Sequence, residues 1–321
     1  MDSSKLPQLK IPWNRRPQVL FVGNGMSRAF GGSSWEDIIQ EINYTQTELR
    51  EIKKAPFPLQ AVIATGDKVD CGAVEIGEKL KKPTNTAMLK YMGQLVDMPF
   101  DSILTTNYSY ELEQAADPDF LKGKGRFRKY AAHTPAVKRV ESQFLMHSYY
   151  HIPREKGACN IWHIHGEANK PNSMIFGHYY YGNLLFRYQE YFRRRDSAYE
   201  NYQQRHRDLP VRSWLDYFIM ADIYVLGCGL DFSEMDLWWL INRKKRERAE
   251  TGRLYHIEPY NPANRIKENL LRAFECTQLS CGTVIDDRTC KGEARQEVYR
   301  KFYGMAIETI RERLEKIQES E

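Results

Sequence analysis

The sequence lacks the cysteine pairs of a zinc module or of a disulfide framework. None of the six cysteines forms a Cys-x-x-Cys pair, and their spacing fits neither a zinc knuckle nor a disulfide scaffold. They are Cys71, Cys159, Cys228, Cys276, Cys281 and Cys290. We therefore expect reduced cysteines in a cytosolic protein, several of them filling the core.

Long apolar runs and targeting segments are absent as well. The sequence has no stretch of about 18 apolar residues that could span a membrane, and its first residues have no apolar segment of a secretory signal. Internal repeats, low-complexity tracts and obvious linkers are also missing. We expect a cytoplasmic protein without membrane contact, and 321 residues suffice for one large domain or for a large and a small one.

Charge is only slightly unbalanced. The formal net charge of +5 is weak evidence for a nucleic-acid partner. Basic residues cluster at positions 193–195 and 243–246. Such runs usually form solvated helix faces, and this is the interpretation we prefer. A partner surface or the mouth of an anionic ligand site is the alternative.

Short apolar runs recur along the chain as candidate strands, and longer segments of helical character separate them. The candidate strands are residues 19–22, 102–106, 161–165, 223–226 and 254–257, with 283–285 as a sixth candidate. Strands that alternate with helices are typical of an α/β fold, in which helices cover both faces of a parallel sheet.

Some intervals between these strands are too long for one crossover helix. We interpret residues 46–95, 113–158 and 182–216 as helical insertions that form a lobe beside the sheet. One domain would then span the whole chain, with its sheet core at about 18–45, 96–112, 160–180 and 218–290 and an amphipathic C-terminal helix at 293–318. A cleft between lobe and sheet is a common place for a ligand.

The first chemical motif is a glycine turn after the first candidate strand. Residues 19–22 lead into Gly23-x-Gly25-x-Ser27, and a helix is predicted from about Trp35. Glycines there let the backbone approach a pyrophosphate, and the following amides can donate hydrogen bonds to its oxygens. Because the third glycine of the dinucleotide fingerprint is missing, a tight turn without a ligand is equally open.

A second motif follows the second candidate strand. Thr105 and Thr106 lead into Asn107, after which a helix is predicted. Asn107 would therefore lie at the carboxyl end of a strand, where open α/β sheets bind their ligands. The alternative is that Asn107 only caps the helix, as asparagine commonly does.

Two histidines mark the end of the third strand. Strand alternation places His163 and His165 on one face. A metal site is one interpretation, although no acidic third ligand accompanies the pair. A buried structural role is the alternative for His163. His165 precedes Gly166 at the strand end and is better placed to accept a proton from a substrate near neutral pH.

A second glycine turn follows the fourth strand. Gly227 and Gly229 would let the backbone approach a ligand, and Asp231 lies in the same turn. The next strand ends at Glu258, which could accept a hydrogen bond from a ribose hydroxyl, as acidic residues at strand ends do in nucleotide-binding folds. A solvent-exposed Glu258 without a ligand is the alternative.

Together these motifs resemble the sirtuin superfamily. Four of them occur in its order, at residues 23–27, 105–108, 165–166 and 227–229. Residues 171–177, which precede Tyr179, Tyr180 and Tyr181, resemble the bacterial sirtuin-like branch, which includes NAD-degrading effectors of anti-phage defence. The resemblance implies a Rossmann-like NAD-binding sheet with a helical insertion lobe.

The sequence also departs from the sirtuin pattern. Sirtuin deacylases usually carry four zinc-binding cysteines after the His-Gly motif, and this chain has no such pairs, so we expect no zinc. Their Asp-Phe-Arg loop is replaced by residues 31–35. Ser109 stands where many relatives have an aspartate two residues beyond the asparagine, and Gly229 stands where serine or threonine is common. These changes put the finer contacts to nicotinamide and phosphate in question.

The function that the resemblance implies is hydrolysis of NAD to nicotinamide and ADP-ribose. Asn107 and His165 would be the catalytic residues. The NAD-binding set would be Gly23, Asn24, Gly25, Ser27, Thr105, Gly227, Gly229, Asp231 and Glu258. Two alternatives stay open. One is an NAD-dependent deacylase or ADP-ribosyl transferase, and the other is a regulatory subunit that binds NAD or ADP-ribose without turnover.

The resemblance also implies control of the activity, because an unregulated NAD hydrolase would harm its own cell. We expect a homo-oligomer, gated by its assembly or by a separate activating protein. An ATPase or a nucleic-acid-bound sensor would suit that role, because we recognise no sensor domain in these 321 residues.

Overall fold

An eight-stranded sheet forms the centre of the computed structural model, which describes residues 8–122, 137–142, 144–154, 157–247, 251–286 and 289–320. A separate two-stranded sheet pairs β1 with β7. The strands are β1 (Lys10–Ile11), β2 (Gln18–Val22), β3 (Ser102–Thr105), β4 (Lys138–Val140), β5 (Tyr149–Pro153), β6 (Ala158–His163), β7 (Leu209–Pro210), β8 (Asp222–Leu226), β9 (Leu254–Ile257) and β10 (Thr277–Leu279).

The large sheet has the order β10-β9-β8-β2-β3-β6-β5-β4. The six strands from β10 to β6 pair in parallel, and β5 and β4 add an antiparallel edge. The predicted α/β fold with a mostly parallel, Rossmann-like sheet is therefore confirmed. The parallel strands β2, β3 and β6 lie next to one another, and the chain passes through the edge strands β4 and β5 between β3 and β6. It then returns to β8 on the other side of β2. This reversal creates a topological switch point between β2 and β8.

Within the described residues, thirteen α-helices surround the sheet. They are α1 (Gly25–Ala29), α2 (Trp35–Glu41), α3 (Leu49–Ile52), α4 (Phe57–Thr65), α5 (Val69–Leu80), α6 (Thr86–Asp97), α7 (Glu111–Ala116), α8 (His178–Arg193), α9 (Asp196–Arg205), α10 (Trp214–Met220), α11 (Met235–Glu247), α12 (Arg265–Ala273) and α13 (Gly292–Ser320). No helix in the described part of the chain is both long enough and apolar enough to cross a membrane.

Apolar side chains cover both faces of the sheet. On β2, Val19 and Phe21 join one cluster with α8, α10 and α11, whereas Leu20 and Val22 join another with α6 and α13. Every residue of β2 is buried. A strand buried on both faces needs a continuous apolar run rather than an alternating one, which is why short apolar runs predicted these strands well.

Helices α2–α5 have an apolar cluster of their own. It combines Ile39, Ile52, Ala61 and Ile76, one from each helix, with Phe176 from the segment before α8. This cluster is the core of a helical lobe beside the sheet. Because Phe176 lies in this cluster, the lobe packs against the segment that connects β6 to α8.

The lobe differs in its bounds from the predicted insertion at residues 46–95. It begins with α2, where Ser34 and Asp37 form a reciprocal capping box, each side chain accepting a hydrogen bond from the other residue's backbone N–H. It ends with α5, because Met92 and Leu95 of α6 pack on the sheet. The amphipathic C-terminal helix is present as α13 and packs on the same face as α6.

Two predictions of secondary structure were wrong. Residues 113–158, expected to be helical, contain strands β4 and β5, and a further stretch at residues 123–136 lies outside the described residues. In β5 alternate residues Tyr150 and Ile152 enter the core, a two-residue period that indicates a strand. The sixth parallel strand is β10 rather than residues 283–285, of which Val284 is exposed and forms only an isolated bridge.

The two basic clusters are not simply solvated helix faces, because each contains a buried member. Arg195 is 4% exposed and donates to Asp216, which is fully buried and also accepts from the hydroxyls of Tyr191 and Tyr199. Lys244 is also 4% exposed. In both clusters one basic side chain is bonded inside the protein while its neighbours are partly or largely exposed, so neither cluster is a uniform basic surface.

Lys244 caps the C-terminus of α10 from the neighbouring helix. Its ammonium donates to the carbonyl oxygens of Phe218 at 3.0 Å, Ile219 at 2.7 Å and Ala221 at 2.7 Å. Carbonyls in the last turn of a helix have no partner within the helix, so a buried helix end needs donors from elsewhere. The lysine thus joins α11 to the segment that enters β8.

We expect Lys244→Met to lower the free energy of unfolding by about 2–4 kcal/mol, because three carbonyls lose their donor in a buried place. The matched control is Arg246→Met on the same helix, where the side chain is exposed. Urea denaturation of both variants measures the difference. Equal losses in the two variants would contradict the capping role of Lys244.

Candidate active site

The carboxyl ends of the central strands meet at one edge of the sheet. In the register of the parallel pairs, Val22 lies opposite Thr105 on one side and opposite Leu226 on the other. The loops that follow β2, β3 and β8 therefore leave the sheet side by side. This edge, at the switch point between β2 and β8, is where open α/β sheets bind ligands.

The two glycine turns pack against each other at this switch point. The amide of Gly23 donates to the Leu226 oxygen at 3.0 Å, and that of Gly25 donates to the Gly227 oxygen at 2.7 Å. A Cβ atom on Gly23 would lie 2.6 Å from Cys228 Cα. A side chain at position 23 would therefore separate the turns. Gly229 differs, because a Cβ there would meet open space.

Asn24, Ser27 and Thr105 of the predicted NAD-binding set have side chains that form hydrogen bonds within the protein. Asn24 Nδ2 donates to the Ser33 oxygen at 3.0 Å, and the Ser27 hydroxyl donates to Glu111 at 3.2 Å. Thr105 is buried, and its hydroxyl accepts from a backbone amide two residues later. These bonds shape the loops, while direct contact of these residues with NAD stays a prediction.

The side chain of Asn107 is buried, but its amide oxygen lacks a hydrogen bond within the described residues. It is 7% exposed, and its Oδ1 atom is buried with no hydrogen-bond partner among the described residues. Its main-chain N–H donates to the Thr105 hydroxyl at 3.0 Å. Helix α7 begins four residues later, after Tyr110 as the N-cap residue, so the interpretation of Asn107 as a helix cap was wrong.

His163 is fully engaged by the protein. Its Nδ1 lies 2.7 Å from the main-chain oxygen of Asn107, and its Nε2 lies 2.9 Å from Glu113 Oε1. Burial lowers the pKa of His163, but the charge of Glu113, its hydrogen bond and the charge of Glu167 together raise it to about 9. With both ring nitrogens in use, His163 has no lone pair for a metal, and the structural alternative holds for this residue.

His165 pairs with a different helix. Its Nε2 lies 2.8 Å from Oδ2 of Asp236 in the first turn of α11, and the two side chains are 5% and 0% exposed. No described group forms a hydrogen bond with Nδ1. Burial lowers the pKa of His165, but the charge of Asp236, its hydrogen bond and the charge of Glu234 raise it. The Asp236 carboxylate thus fixes Nε2 of His165 and leaves Nδ1 of the same ring without a hydrogen bond from the described residues.

The expectation that the two histidines share one strand face was wrong. Strand β6 ends at His163, and the chain turns at once, with the Gly166 amide donating to the His163 oxygen at 3.3 Å. Gly166 has a φ of +101°, and a Cβ there would lie 2.3 Å from the Ser173 oxygen, so the turn requires glycine. The alternation of side chains between the two strand faces stops at the turn, and the His165 side chain points towards α11.

The surroundings of His165 are aromatic and acidic. The ring of Tyr181 stands nearly perpendicular to the imidazole at a centroid distance of 5.8 Å, and the Tyr108 hydroxyl donates to the Ile175 oxygen at 2.9 Å. Burial raises the pKa of Glu234 to about 7, where the charge of Asp236 adds to it and that of His165 opposes it. A proton acceptor and a titrating carboxyl group therefore lie close together at the sheet edge.

Asp231 and Glu258 lie further along the same edge. Asp231 is exposed and accepts from the Ser233 amide at 2.8 Å, which closes the turn before α11. Glu258 accepts from Lys267 at 2.6 Å and lines a pocket of about 340 Å³ with His256 and residues of α12. Lys267 also donates to the Gly229 oxygen at 3.0 Å, so this pocket adjoins the second glycine turn.

Sequence reasoning missed Glu113, Tyr181, Glu234 and Asp236. The signal for two of them was present, because Glu234 and Asp236 enter a helix directly after the second glycine turn. Glu113 and Tyr181 lie on helices far from their histidine partners in sequence, and only tertiary packing brings them together. Among the described residues, no group of three or more His, Cys, Asp and Glu side chains is placed to hold a metal ion.

Comparison with known families agrees with this geometry. A family model described as a SIR2-like domain matches residues 101–276, which is more than half of the chain. The chain belongs to the SIR2-like family. SIR2-like domains bind NAD, and the match includes Asn107, His165, Asp236 and the second glycine turn. No curated protein matches the chain.

The first glycine turn lies outside the matched residues. The SIR2-like match begins at position 101, yet Gly23 and Gly25 contact the second glycine turn at positions 227 and 228. The structure therefore brings the first glycine turn, which the family match does not cover, into contact with the second glycine turn, which it does cover.

We expect Gly23→Ala to lower the free energy of unfolding by about 1–3 kcal/mol, because a methyl group would overlap the second turn. Gly229→Ala, which places its methyl group in open space, is the matched control and should leave stability nearly unchanged. Thermal unfolding of the two variants tests this. Unchanged stability in Gly23→Ala would show that the turns can separate without loss.

Proposed function

We propose that this SIR2-like chain is an NAD hydrolase that cleaves the bond between nicotinamide and ribose. The observation that carries the proposal is the buried pair of His165 and Asp236, at the sheet edge that also holds Asn107 with its unpartnered side-chain oxygen. The products would be nicotinamide and ADP-ribose. We treat residues 1–321 as one sirtuin-like domain in this proposal.

Hydrolysis of NAD does not require the protein to activate the leaving group, nicotinamide. Nicotinamide departs from a cationic pyridinium as a neutral molecule, and positive charge develops at the anomeric carbon of the ribose. Water attacks that carbon and loses a proton. The protein must therefore orient the ribose, stabilise positive charge and accept the proton from the attacking water or from a ribose hydroxyl.

Asn107 would orient the substrate. Its Oδ1 atom can accept a hydrogen bond from a ribose hydroxyl or from the attacking water, and both main-chain polar groups of the residue are already fixed by Thr105 and His163. A buried amide oxygen without a partner gains most from such a donor, because leaving it unpaired costs free energy. The fold would thus orient Asn107 before the substrate binds.

His165 would be the general base. With its Nε2–H held by Asp236, the neutral imidazole carries its lone pair on Nδ1, which has no hydrogen bond within the described residues. A carboxylate that fixes the tautomer of a catalytic histidine is a recurrent arrangement. Asp236, together with Glu234 in its ionised form, would also favour the positive charge that develops on the ribose.

The remaining assignments follow the sheet edge. The glycine turns with Gly23, Gly25, Gly227 and Gly229 would border the pyrophosphate, and Glu258 would bind a ribose hydroxyl from its pocket. Asn24, Ser27, Thr105 and Asp231 would support these loops through the internal bonds described above. No zinc is proposed.

We further propose that the activity belongs to defence against phage and is gated. The basis is the sirtuin-like resemblance together with the toxicity of uncontrolled NAD loss. A homo-oligomer, or a separate ATPase or nucleic-acid-bound sensor, would provide the control in the cytoplasm. Assays of the purified chain therefore need to be repeated with whatever co-purifies from the native host.

We expect Asn107→Ala and His165→Ala to lower nicotinamide release from NAD by about 100-fold to 10,000-fold, the usual cost of losing a positioned catalytic group. Release is measured by chromatography with the purified wild type as reference. His206→Ala, which removes an exposed histidine, is the control and should keep full activity.

Each outcome of this experiment is informative. Wild-type turnover in both catalytic variants would overturn the assignment of Asn107 and His165. Binding of NAD without release, under all activating conditions, would favour a regulatory subunit. Formation of O-acetyl-ADP-ribose with an acetylated peptide would favour a deacylase.

We expect Asp236→Asn to move the acidic limb of the pH–rate profile to lower pH. The neutral form of His165 is the active base, so the rate rises as pH passes the raised pKa of this histidine. Among the charges that raise this pKa, that of Asp236 has the largest effect, so the substitution lowers the pKa. We expect kcat to fall as well, because the carboxylate that fixes the tautomer of His165 is lost. The profile of kcat/KM against pH measures both effects, and an unmoved limb would exclude His165 as the titrating base.

A further inference from the structure

His163 is the most fully bonded imidazole beside the candidate site, and the proposed reaction does not use it. Its side chain is 2% exposed and that of Glu113 is fully buried. The two ring nitrogens reach the Asn107 main-chain oxygen at 2.7 Å and the Glu113 carboxylate at 2.9 Å. Burying a charged pair is costly unless each group is well bonded, so this pair calls for a role beyond filling space.

The partners of His163 determine where its protons lie. A carbonyl oxygen only accepts hydrogen bonds, so Nδ1 must carry a hydrogen towards Asn107. Nε2 faces the Glu113 carboxylate, and a hydrogen there makes the ring a cation. The charges that face the ring are those of Glu113 on α7 and Glu167 after β6, and the rings of Tyr110 and Tyr150 pack edge-on against it. This environment keeps His163 protonated at neutral pH.

We propose that His163, held by Glu113, is a positioning residue for Asn107. The protonated imidazole fixes the main-chain oxygen of Asn107 and thereby the direction of its side-chain amide. This inference rests on the proposed NAD hydrolase function, in which Asn107 orients the ribose or the attacking water. It adds a second buried histidine–carboxylate pair to the site, with a role distinct from that of His165 and Asp236.

The geometry around Asn107 explains why such an anchor matters. The loop from Thr105 to Asn107 leaves the strand end. Within the described residues, two bonds fix the polar backbone of Asn107, from its N–H to Thr105 and from His163 to its oxygen. Removing the second bond frees the peptide plane to rotate. A shift of about 1 Å in a group that positions substrate can cost about 100-fold in rate.

Two substitutions separate positioning from packing. The amide nitrogen of an asparagine at position 163 falls near Nδ1 and can still donate to Asn107, whereas that of a glutamine falls near Nε2 and reaches towards Glu113. We expect His163→Gln to lower kcat by about 10-fold to 100-fold and His163→Asn to lower it several-fold less, with KM for NAD changed by less than about threefold in both. Equal losses in the two variants, or a loss confined to KM, would overturn the proposal.

A spectroscopic readout tests the pair independently of turnover. In protein labelled with ¹⁵N at histidine, we expect both ring nitrogens of His163 to be protonated at pH 7, and the pKa of His163 to fall from about 9 in Glu113→Gln. A ring without a hydrogen on Nδ1 at pH 7 would overturn the inference even in an active enzyme, because Nδ1 could then not donate to Asn107.

The two proposals fail in different ways. If the wild type releases no nicotinamide under any activating condition while His163 is doubly protonated, the hydrolase proposal fails. Positioning is then judged without turnover, by the NMR signals of the Asn107 side-chain amide, which His163→Gln should shift more than His163→Asn. Equal shifts in the two variants would overturn the positioning role as well.

Discussion

The contact between the two glycine turns is the constraint on which the rest of the site depends. Because the amide of Gly25 donates directly to the Gly227 oxygen, β2 and β8 can end side by side with no side chain between their loops. That closeness places the helix after the second turn, with Asp236 in its first turn, against the loop that follows β6. The glycines thus set the spacing of the proposed catalytic groups, whether or not they also border a phosphate.

The sequence predicted the parts of the fold that depend on local pattern. Apolar runs identified five of the six parallel strands, β9, β8, β2, β3 and β6 in sheet order, because such strands are buried on both faces. The edge of the sheet was missed, since β4 and β5 mix polar and aromatic residues and β10 has only three residues. Edge strands carry a weaker apolar signal because one side of them is not enclosed by neighbours.

The same limit applies to the site. Asn107 and His165 were recognisable as candidates because each lies two residues after the end of a strand, a position that the order of the chain reveals. The carboxylates that bond the two histidines were not recognisable, since Glu113 comes next to His163 and Asp236 next to His165 only when the chain has folded. Sequence separation says nothing about which helix covers which loop. Lys244 is a related case, because a lysine within a basic run gives no sign that it caps a neighbouring helix.

The end of β6 explains how one short segment can supply two different histidines. Had the strand continued, His163 and His165 would face the same side and compete for the same partners. The turn at Gly166 instead sends His163 to the acid on α7 and His165 to the acid on α11. Each carboxylate raises the pKa of its own histidine, but within the described residues only His163 of the two has both nitrogens bonded. The same pair of residue types therefore gives a fixed cation on one side of the sheet edge and a nitrogen able to accept a proton on the other.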